Sequence, residues 1–378
     1  MQLKNRVEMA VAGSGKTWRI CEEVIKKIDT NNKKVLLVTY TNKGIESLKE
    51  TYKKQNFGVL NEKVVFKTWY QFLMSEFIKP YQSYITGKIN YIRSFDFSKE
   101  YGFINYKQRG KLEHYVNAHG DVLSNYAAEL SIDICQKSNE KVIKRLNDIY
   151  SDIFIDEIQD LSGEDIFILD LLFKSNINIK CVGDYKQATY TTHNSKKNKS
   201  FTGENILNYL KKQEEANIIE LAYNNYTMRF GKEICDFANS IFPESNDKIV
   251  SKQTFDSEYD NIGVYVIAKR DLDKYYNYYQ PQVLRYDTKT ITEYNALNFG
   301  QCKGMTFDRV LIYPNKIFED FIVNNKEIAS RSKYYVAATR GRHSVVFVLN
   351  DIIENDKFEK KQIMIGDNCI NVSKYKGE

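Results

Sequence analysis

The sequence predicts an α/β protein built on parallel sheets. Short apolar runs rich in β-branched residues are typical of strands that are buried on both faces of a sheet. Segments with helical periodicity alternate with these runs, which is the pattern of parallel sheets covered by helices. The predicted strands are residues 34–39, 153–155, 179–182, 310–313 and 344–349, and the clearest predicted helices are residues 18–28 and 43–53.

Length and composition narrow the class further. A chain of 378 residues with 42% hydrophobic and 28% charged residues can form two or three domains with buried cores. Its 18 glycines and 4 prolines exclude collagen-like and linker-dominated architectures. No apolar run approaches the roughly 20 residues that a membrane-spanning helix needs. The net charge of +6 permits a polyanionic partner without requiring one.

The N-terminal segment and the cysteines predict a cytoplasmic protein. The first residues contain no apolar signal-peptide core. The six cysteines stand far apart in the sequence, with no CxxC spacing. This pattern fits neither a disulfide framework nor a zinc or iron–sulfur site, and a reducing compartment explains it most simply.

Two segments interrupt the alternation of strands and helices. Residues 71–148 have mainly helical patterns and are rich in Tyr, Lys and Asn, so we expect a helical insertion in the first α/β domain. Around residues 191–204 the chain becomes polar, which is typical of a loop near a domain boundary. We therefore expect a first domain of residues 1–70 and 149–200 and a second domain of residues 201–378.

The strongest local signal is residues 10–17, Ala-Val-Ala-Gly-Ser-Gly-Lys-Thr. Apart from Ala10 in place of the first glycine, it matches a P-loop, whose backbone N–H groups surround phosphates. Lys16 supplies a point charge for the β- and γ-phosphates, and the Thr17 hydroxyl is suited to Mg²⁺. The alternative is a glycine-rich turn followed by Lys-Thr by chance. The residues expected to hold ATP here are Ala12, Gly13, Ser14, Gly15, Lys16 and Thr17.

A second signal is residues 154–160, Phe-Ile-Asp-Glu-Ile-Gln-Asp, where an apolar strand ends in acidic residues. Asp156, at the strand tip, is expected to reach Mg²⁺ through its water shell. Glu157 is expected to orient and deprotonate a water molecule that attacks the γ-phosphate. The alternative is a solvated acidic loop, which is common after strands.

The order of these and further blocks resembles the UvrD/Rep-like branch of superfamily 1 DNA helicases. The blocks are residues 10–17, 38–43, 67–72, 156–160, 182–190, Arg229 with Ile234, 303–310 and 335–340. The resemblance implies two RecA-like P-loop NTPase lobes with parallel sheets. Lobe 1A comprises residues 1–70 and 149–200, residues 71–148 form the 1B-like insertion, and lobe 2A comprises residues 201–378. Few residues separate the block at Arg229 and Ile234 from the block at residues 303–310. Subdomain 2B, which would lie in this interval, is therefore expected to be reduced or absent.

The resemblance also implies ATP and Mg²⁺ as cofactors and assigns further site residues. Arg229 and Arg340, from the second lobe, are expected to stabilise charge on the transferred phosphoryl group, so that hydrolysis is coupled to lobe motion. Gln187 is expected to report the γ-phosphate to the DNA. Tyr226 is expected to stack on the base of ATP, and Gly304 is assigned to the ATP site.

The DNA contacts are predicted from aromatic and polar residues near strand ends. Single strands are held by aromatic faces that stack on bases and by polar groups on phosphates. Core packing is the alternative for each aromatic residue taken alone. The predicted contacts are Tyr40, Thr41, Asn42, Thr68, Trp69 and Tyr190.

These expectations lead to one leading function and two alternatives. The resemblance implies an ATP-dependent, 3′-to-5′ helicase or translocase on single-stranded DNA that separates tailed duplexes. One alternative is a DNA-stimulated ATPase switch that acts with a protein partner, such as a nuclease in a defence system. The other is a P-loop kinase or small-molecule ATPase that is indifferent to DNA.

Overall fold

A computed structural model describes most of the chain. The described residues are 4–28, 32–98, 108–189, 198–255 and 259–377. The chain divides into two compact units. The first unit comprises Met1–Met9, Lys16–Tyr185 and Tyr190–Ala222, and the second comprises Ala10–Gly15, Lys186–Thr189 and Tyr223–Glu378.

The first sheet has six strands in the order β3-β2-β6-β7-β1-β8, and a separate parallel pair is formed by β4 and β5. The strands are β1 (Arg6–Ala10), β2 (Lys34–Thr39), β3 (Val64–Thr68), β4 (Phe95–Asp96), β5 (Val122–Leu123), β6 (Tyr150–Ile155), β7 (Asn178–Gly183) and β8 (Glu220–Asn224). The predicted strand at residues 34–39 thus has the bounds of β2.

The helices of the first unit surround this sheet or belong to the insertion. They are α1 (Lys16–Ile28), α2 (Asn42–Gln55), α3 (Trp69–Phe72), α4 (Ser83–Thr86), α5 (Leu112–Tyr115), α6 (Ala127–Lys137), α7 (Lys141–Ile149), α8 (Asp165–Lys174) and α9 (Ile206–Glu215). A π-helical stretch, Leu73–Ile78, extends α3. Helix α1 forms because Ile20, Cys21, Val24 and Ile28 recur at three- and four-residue spacing and are buried.

Strand β2 is apolar because both of its faces are covered. Val35 and Leu37 pack in the cluster that contains the buried face of α1. Leu36 and Val38 face the opposite way and join the cluster that contains α6 and α8. Alternate side chains of a strand point to opposite faces, so a strand in the middle of a two-sided core needs an uninterrupted apolar run.

The register of the first sheet aligns the ends of its strands. Val38 pairs with Ile155, and Ile155 pairs with Cys181. In the next pair, Met9 is opposite Gly183. These pairs are parallel, so the segments that follow β1, β2, β6 and β7 begin at the same edge, where α/β proteins bind ligands.

The insertion is less purely helical than the sequence predicted. Its described residues contain α4–α7, but the short strands β4 and β5 also pair within it. Phe77 and Leu130 from this region belong to the same buried cluster as Leu36 of the sheet. The insertion therefore shares the core of the first unit.

The second unit is built on a seven-stranded sheet in the order β13-β12-β14-β15-β11-β17-β16, and β9 and β10 form a separate parallel pair. The strands are β9 (Tyr226–Thr227), β10 (Val250–Ser251), β11 (Gly263–Ala268), β12 (Gln282–Arg285), β13 (Ala296–Asn298), β14 (Phe307–Tyr313), β15 (Gly341–Leu349), β16 (Phe358–Ile365) and β17 (Asn368–Tyr375). The helices are α10 (Lys232–Ile241), α11 (Leu272–Tyr279), α12 (Lys316–Asn324) and α13 (Ser332–Ala338).

Strands β11 to β15 of this sheet are parallel, whereas the C-terminal hairpin β16–β17 adds two antiparallel strands beside β11. Val264 and Val266 pack with α10 on one face, and Tyr265 and Ile267 pack with α11 on the other. The sequence analysis did not predict this hairpin. The fold class is nevertheless the predicted one, α/β with two mainly parallel sheets.

No helix among the described residues is both long and apolar enough to cross a membrane.

Candidate functional site

The predicted phosphate loop connects β1 to α1 through left-handed backbone. Gly13 has φ +75° and Gly15 has φ +80°, which only glycine adopts without strain. The N–H of Ser14 donates to the carbonyl of Val11 over 3.3 Å, which closes the turn. Helix α1 begins at Lys16, so its N-terminal dipole and N–H groups follow the loop directly.

Within the second unit the loop lies tightly against the segment that follows β8. The N–H of Met228 donates to the carbonyl of Gly13 over 3.0 Å. A Cβ atom on Gly13 would lie 2.5 Å from both Thr227 Oγ1 and Arg229 Cβ. Gly13 is therefore required twice, for its backbone conformation and for the close approach of Arg229.

A cavity of about 520 Å³ in the second unit opens beside this contact. It is lined by Gly13, Gly15, Met228, Arg229, Gln253, Thr254, Phe255, Tyr259, Thr306, Arg342 and His343. The backbone of two glycines and the side chains of two arginines make a polar, cationic lining. This chemistry suits an anionic ligand.

The aromatic part of this cavity was not predicted from the sequence. The His343 ring lies over Tyr259, with centroids 4.0 Å apart. Burial lowers the pKa of His343 below its ordinary value, and the charge of Arg309 lowers it further. The imidazole is therefore neutral at pH 7. No motif marked these residues. The sequence signal that existed was the pair Arg342-His343, which follows the block of residues 335–340 after one glycine.

In the first unit, the predicted metal ligands lie together. Thr17 Oγ1 donates to Asp156 Oδ2 over 3.5 Å, although the two residues are 139 positions apart in the chain. Asp156 is buried, and its Oδ1 accepts the N–H of Glu157 over 2.9 Å. A hydroxyl and a carboxylate are hard oxygen ligands, and Mg²⁺ typically takes one or two protein oxygens beside phosphates and water. The described residues contain no cluster of three or more His, Cys, Asp or Glu side chains at metal-binding distance.

Glu157 has an unusual backbone. Its φ is +60°, a left-handed conformation that costs a non-glycine residue of order 1–3 kcal/mol. Its carboxylate accepts a hydrogen bond from the Gln159 amide. A strained residue held by a defined partner is typical of functional sites, because the surrounding structure must determine its position.

Gln159 is a positioning residue that the sequence analysis missed. It is fully buried, and its Oε1 accepts the backbone N–H of Asp184 over 3.0 Å. Its amide donates to Glu157, so it connects the segments that follow β6 and β7. The sequence offered a weak signal, an amide residue between Ile158 and Asp160 within the acidic block of residues 156–160.

Arg340 and Gln187 meet within the second unit, as part of one hydrogen-bond network. The Arg340 side chain is fully buried, and its Nη2 donates to Gln187 Oε1 over 3.0 Å. The guanidinium also donates to the carbonyls of Val336 and Met305. Arg229 Nη1 donates to the carbonyl of Thr339, next to Arg340 in the chain. Two arginines are thus held by the same turn after α13.

Tyr226 and Gly304 are not brought to the lining of the 520 Å³ cavity. The Tyr226 ring is half exposed, and Lys252 Nζ lies 3.8 Å from its centroid. Gly304 is exposed, with φ +80° and open space where a Cβ would be. Thr306, two residues further along, lines the cavity instead.

The predicted DNA contacts fall into two groups, of which the first is accessible. Thr41 and Asn42 are exposed at the start of α2, where the Thr41 hydroxyl accepts the N–H of Gly44 and caps the helix. Tyr40 is partly buried, with its ring centroid 6.3 Å from that of Tyr70. Burial raises the pKa of Tyr70, and Tyr40 raises it further.

The second group requires a correction. Trp69 is buried, and its indole N–H donates to Asp165 Oδ1 over 2.7 Å, so the ring belongs to the core and offers no face to a base. Thr68 is also buried and caps α3, where its hydroxyl accepts the N–H of Gln71. Tyr190, the remaining predicted contact, lies outside the described residues.

Comparison with known proteins decides the family. A family model described as the UvrD/REP helicase N-terminal domain matches residues 3–79 and 103–217, just over half of the chain. The chain belongs to this family.

One curated relative and two solved structures show how distant such similarities are. The ATP-dependent DNA helicase PcrA of Leuconostoc citreum is 28% identical over 123 residues, which are 32% of this chain and 15% of that protein. The chain therefore matches far less than two thirds of that relative. Among solved structures, an arterivirus nonstructural protein 10 helicase in complex with DNA has a TM-score of 0.48 at 12% identity, covering 91% of this chain and 60% of that one. A second solved structure, a crystal structure of that helicase, has a TM-score of 0.48 at 13% identity, covering 91% of this chain and 59% of that one.

The UvrD/REP match includes only part of the candidate site. Lys16, Thr17, Asp156, Glu157 and Gln187 lie within the matched ranges. The residues that follow position 217, among them both arginines, lie beyond the match. Their assignment rests on the sequence blocks and on the contacts described above.

Proposed function

We propose that this protein is an ATP-driven motor that moves along single-stranded DNA and separates the strands of a tailed duplex. One observation carries the proposal. The Thr17 hydroxyl, directly after the phosphate loop, contacts Asp156, and Asp156 directly precedes Glu157. Transfer of a phosphoryl group to water needs metal ligands beside a base, and this pair of segments would supply both.

The phosphate loop and its neighbours would bind the nucleotide. The N–H groups of the loop and the α1 dipole favour phosphate oxygens, and Lys16 adds a mobile positive charge. Mg²⁺, held by Thr17 and Asp156, would neutralise charge on the β- and γ-phosphates. Family membership supports ATP as the nucleotide.

Glu157 is the proposed general base. Its carboxylate would accept the proton of the water whose oxygen attacks the γ-phosphorus, while the bond to the β–γ bridging oxygen breaks and ADP departs. Gln159 holds this carboxylate by a hydrogen bond and restricts its position. Arg229 and Arg340 would offset the negative charge that spreads over the transferred group, and Gln187 would sense it through Arg340.

The DNA assignment rests on the family and on exposed polar groups. Thr41 and Asn42 are exposed and would donate to phosphates, and Tyr40 lies directly before them. A 3′-to-5′ direction of movement is proposed by analogy with the UvrD/Rep-like helicases that the sequence resembles. The proposed activity needs no protein partner. The experiment below distinguishes it from an activity that requires one.

The test is a pair of assays on the full chain. Steady-state ATP hydrolysis is measured with Mg²⁺, with and without an oligo(dT) strand. Strand displacement is then measured on a duplex with a 3′ tail and on a matched duplex with a 5′ tail.

Turnover stimulated by oligo(dT), with displacement only of the 3′-tailed duplex, supports the proposal. Stimulated turnover without displacement of either duplex overturns the unwinding activity and favours a DNA-stimulated switch that needs a partner. A rate of ATP hydrolysis that is the same with and without oligo(dT) overturns the motor assignment and favours a small-molecule ATPase or kinase.

A further inference from the structure

A second cavity, of about 680 Å³, lies entirely within the first unit. Its volume falls in the roughly 300–1,000 Å³ range of small-ligand sites. It is lined by Asn42, Phe66, Lys67, Thr68, Tyr70, Gln71, Met74, Ser75, Lys79, Ser94, Phe95 and Phe97. Nothing in the nucleotide site uses this cavity, and Tyr70, Phe95 and Phe97 were not among the predicted site residues.

Three aromatic rings form its most distinctive wall. The Tyr70 ring meets Phe95 edge-to-face, with centroids 5.3 Å apart, and meets Phe97 in the same way at 5.0 Å. The Phe97 side chain is nevertheless 62% exposed. A phenylalanine ring that is this exposed beside a cavity offers apolar surface to a ligand. Binding a ligand there would be favourable, because it removes that apolar surface from water.

The wall is held in place without a ligand. Phe95 belongs to β4, which pairs with Val122 of β5. Ser94 Oγ donates to Asp121 Oδ1 over 2.6 Å, and the N–H of Val122 donates to the carbonyl of Ser94 over 2.9 Å. A site whose walls are fixed in advance loses little entropy when it binds.

The two lysines that line the cavity differ in whether a carboxylate neutralises their charge. Lys67 is paired with the buried carboxylate of Glu76, so its charge is neutralised within the protein. Lys79 also lines the cavity, is exposed, and pairs with no carboxylate among the described residues. Asn42, exposed at the start of α2, adds an amide. A lining that combines aromatic rings with an exposed lysine and an exposed amide matches a flat base that is attached to a phosphate backbone.

We propose that this cavity is a base-binding pocket for single-stranded DNA, in which an unstacked base lies against Phe97 and Tyr70 while the neighbouring phosphate contacts Lys79 and Asn42. The inference rests on the proposed function and deepens it, since it places part of the DNA path on the insertion. An aromatic wall reads no hydrogen-bond pattern, so the pocket accepts any base.

The test uses fluorescently labelled oligo(dT) and four versions of the full chain. Phe97→Ala removes the exposed ring, and Phe97→Trp keeps an aromatic face. Phe57→Ala is the matched control, because Phe57 is a 97% exposed phenylalanine of the same unit that does not line the cavity. Thermal melting followed by circular dichroism verifies that each variant folds.

Phe97→Ala is expected to weaken binding of oligo(dT) by roughly 5- to 100-fold, as loss of one base–aromatic stack does. Phe97→Trp is expected to bind within about threefold of the wild type, and Phe57→Ala likewise. Oligonucleotides carrying 5-iodouracil are expected to cross-link to Tyr70 or Phe97 on irradiation.

Two results overturn the pocket while leaving the motor intact. One is wild-type binding of oligo(dT) that Phe97→Ala does not change, which would assign the cavity to another occupant, such as an apolar peptide segment. The other is equal weakening by Phe97→Ala and Phe57→Ala, which would mean that any exposed ring contributes. If the wild type itself fails to bind oligo(dT), the proposed function fails first, and the pocket with it.

Discussion

Arg340 donates a hydrogen bond from Nη2 to the side-chain oxygen of Gln187 across 3.0 Å, although the two residues are 153 positions apart in the chain. The guanidinium is almost completely buried, so its charge depends on acceptors that the protein provides. Gln187 is therefore part of what makes a buried arginine tolerable, in addition to any role toward the nucleotide.

Replacement of this acceptor has a predictable effect. Gln187→Ala is expected to reduce the free energy of unfolding by about 1–3 kcal/mol, because a buried charged donor loses an acceptor. If Arg340 stabilises the transferred phosphoryl group, kcat for ATP falls by about 10- to 100-fold with little change in ATP affinity. Urea denaturation and steady-state turnover measure the two effects.

The control for this variant is Gln136→Ala, at an exposed position of α6. It is expected to leave both quantities unchanged. Wild-type turnover by Gln187→Ala would remove Gln187 from the nucleotide site and leave it a structural acceptor.

Glu157→Gln tests the proposed base. The amide keeps the size of the side chain but cannot accept a proton at neutral pH, so turnover is expected to fall by at least about 100-fold. Binding of a fluorescent ATP analogue should persist, since the phosphate loop is untouched. Glu50→Gln, on the exposed face of α2, is the matched control. Unchanged turnover in Glu157→Gln would exclude the assigned role.

Gly13→Ala separates backbone strain from close packing. The new Cβ would lie 2.5 Å from Arg229 Cβ, and the residue has φ +75°. Gly58 has φ +83° but open space around it, so Gly58→Ala reports strain alone and is expected to cost about 1–2 kcal/mol of unfolding free energy.

Gly13→Ala is expected to carry the same backbone strain and also to displace the phosphate loop. Its ATP affinity is therefore expected to fall at least about tenfold, whereas Gly58→Ala should bind ATP normally. Titration with a fluorescent ATP analogue compares the two variants. Equal ATP affinity in both would mean that the contact between Gly13 and Arg229 is unimportant for the loop.

Glu76 makes stability depend on pH. Its buried carboxylate accepts hydrogen bonds from Lys67, Arg145 and Tyr150. Burial alone would raise the pKa of Glu76, but Lys67 and Arg145 outweigh it and hold the pKa below the ordinary 4.5. The unfolded chain thus takes up the proton more readily, so this stabilisation is present above pH 4.5 and disappears as pH falls through the lower folded pKa.

Glu76→Gln is therefore expected to lose about 2–3 kcal/mol of unfolding free energy at pH 7, because two cations lose their carboxylate. The difference from the wild type should shrink steadily below pH 4.5. Urea denaturation at pH 7, 5 and 3.5 measures it, with Glu50→Gln as the exposed control. A difference that stays constant over this range would show that folding does not lower the pKa of Glu76.

Local pattern predicted much of the scaffold and the loop to which the proposed function assigns the phosphates. Strand β2 has its predicted bounds because an apolar run of this length suits a strand covered on both faces. Thr17 and Asp156 could be paired from sequence because each follows a recognisable element, and parallel strands end at a common edge. The hairpin β16–β17 escaped prediction, since short alternating patterns at a sheet edge resemble exposed loops.

By itself the sequence determined the α/β class, the phosphate loop and the acidic pair, because glycine conformation, strand hydrophobicity and carboxylate chemistry are properties of neighbouring residues. Only the tertiary structure decided that Trp69 is a core residue, since its burial depends on Asp165, 96 positions away. The same holds for Gln159, whose role depends on the backbone of Asp184, and for the cavity beside Phe97. Burial and hydrogen-bond partners are set by residues that are distant in the chain, and no local pattern contains them.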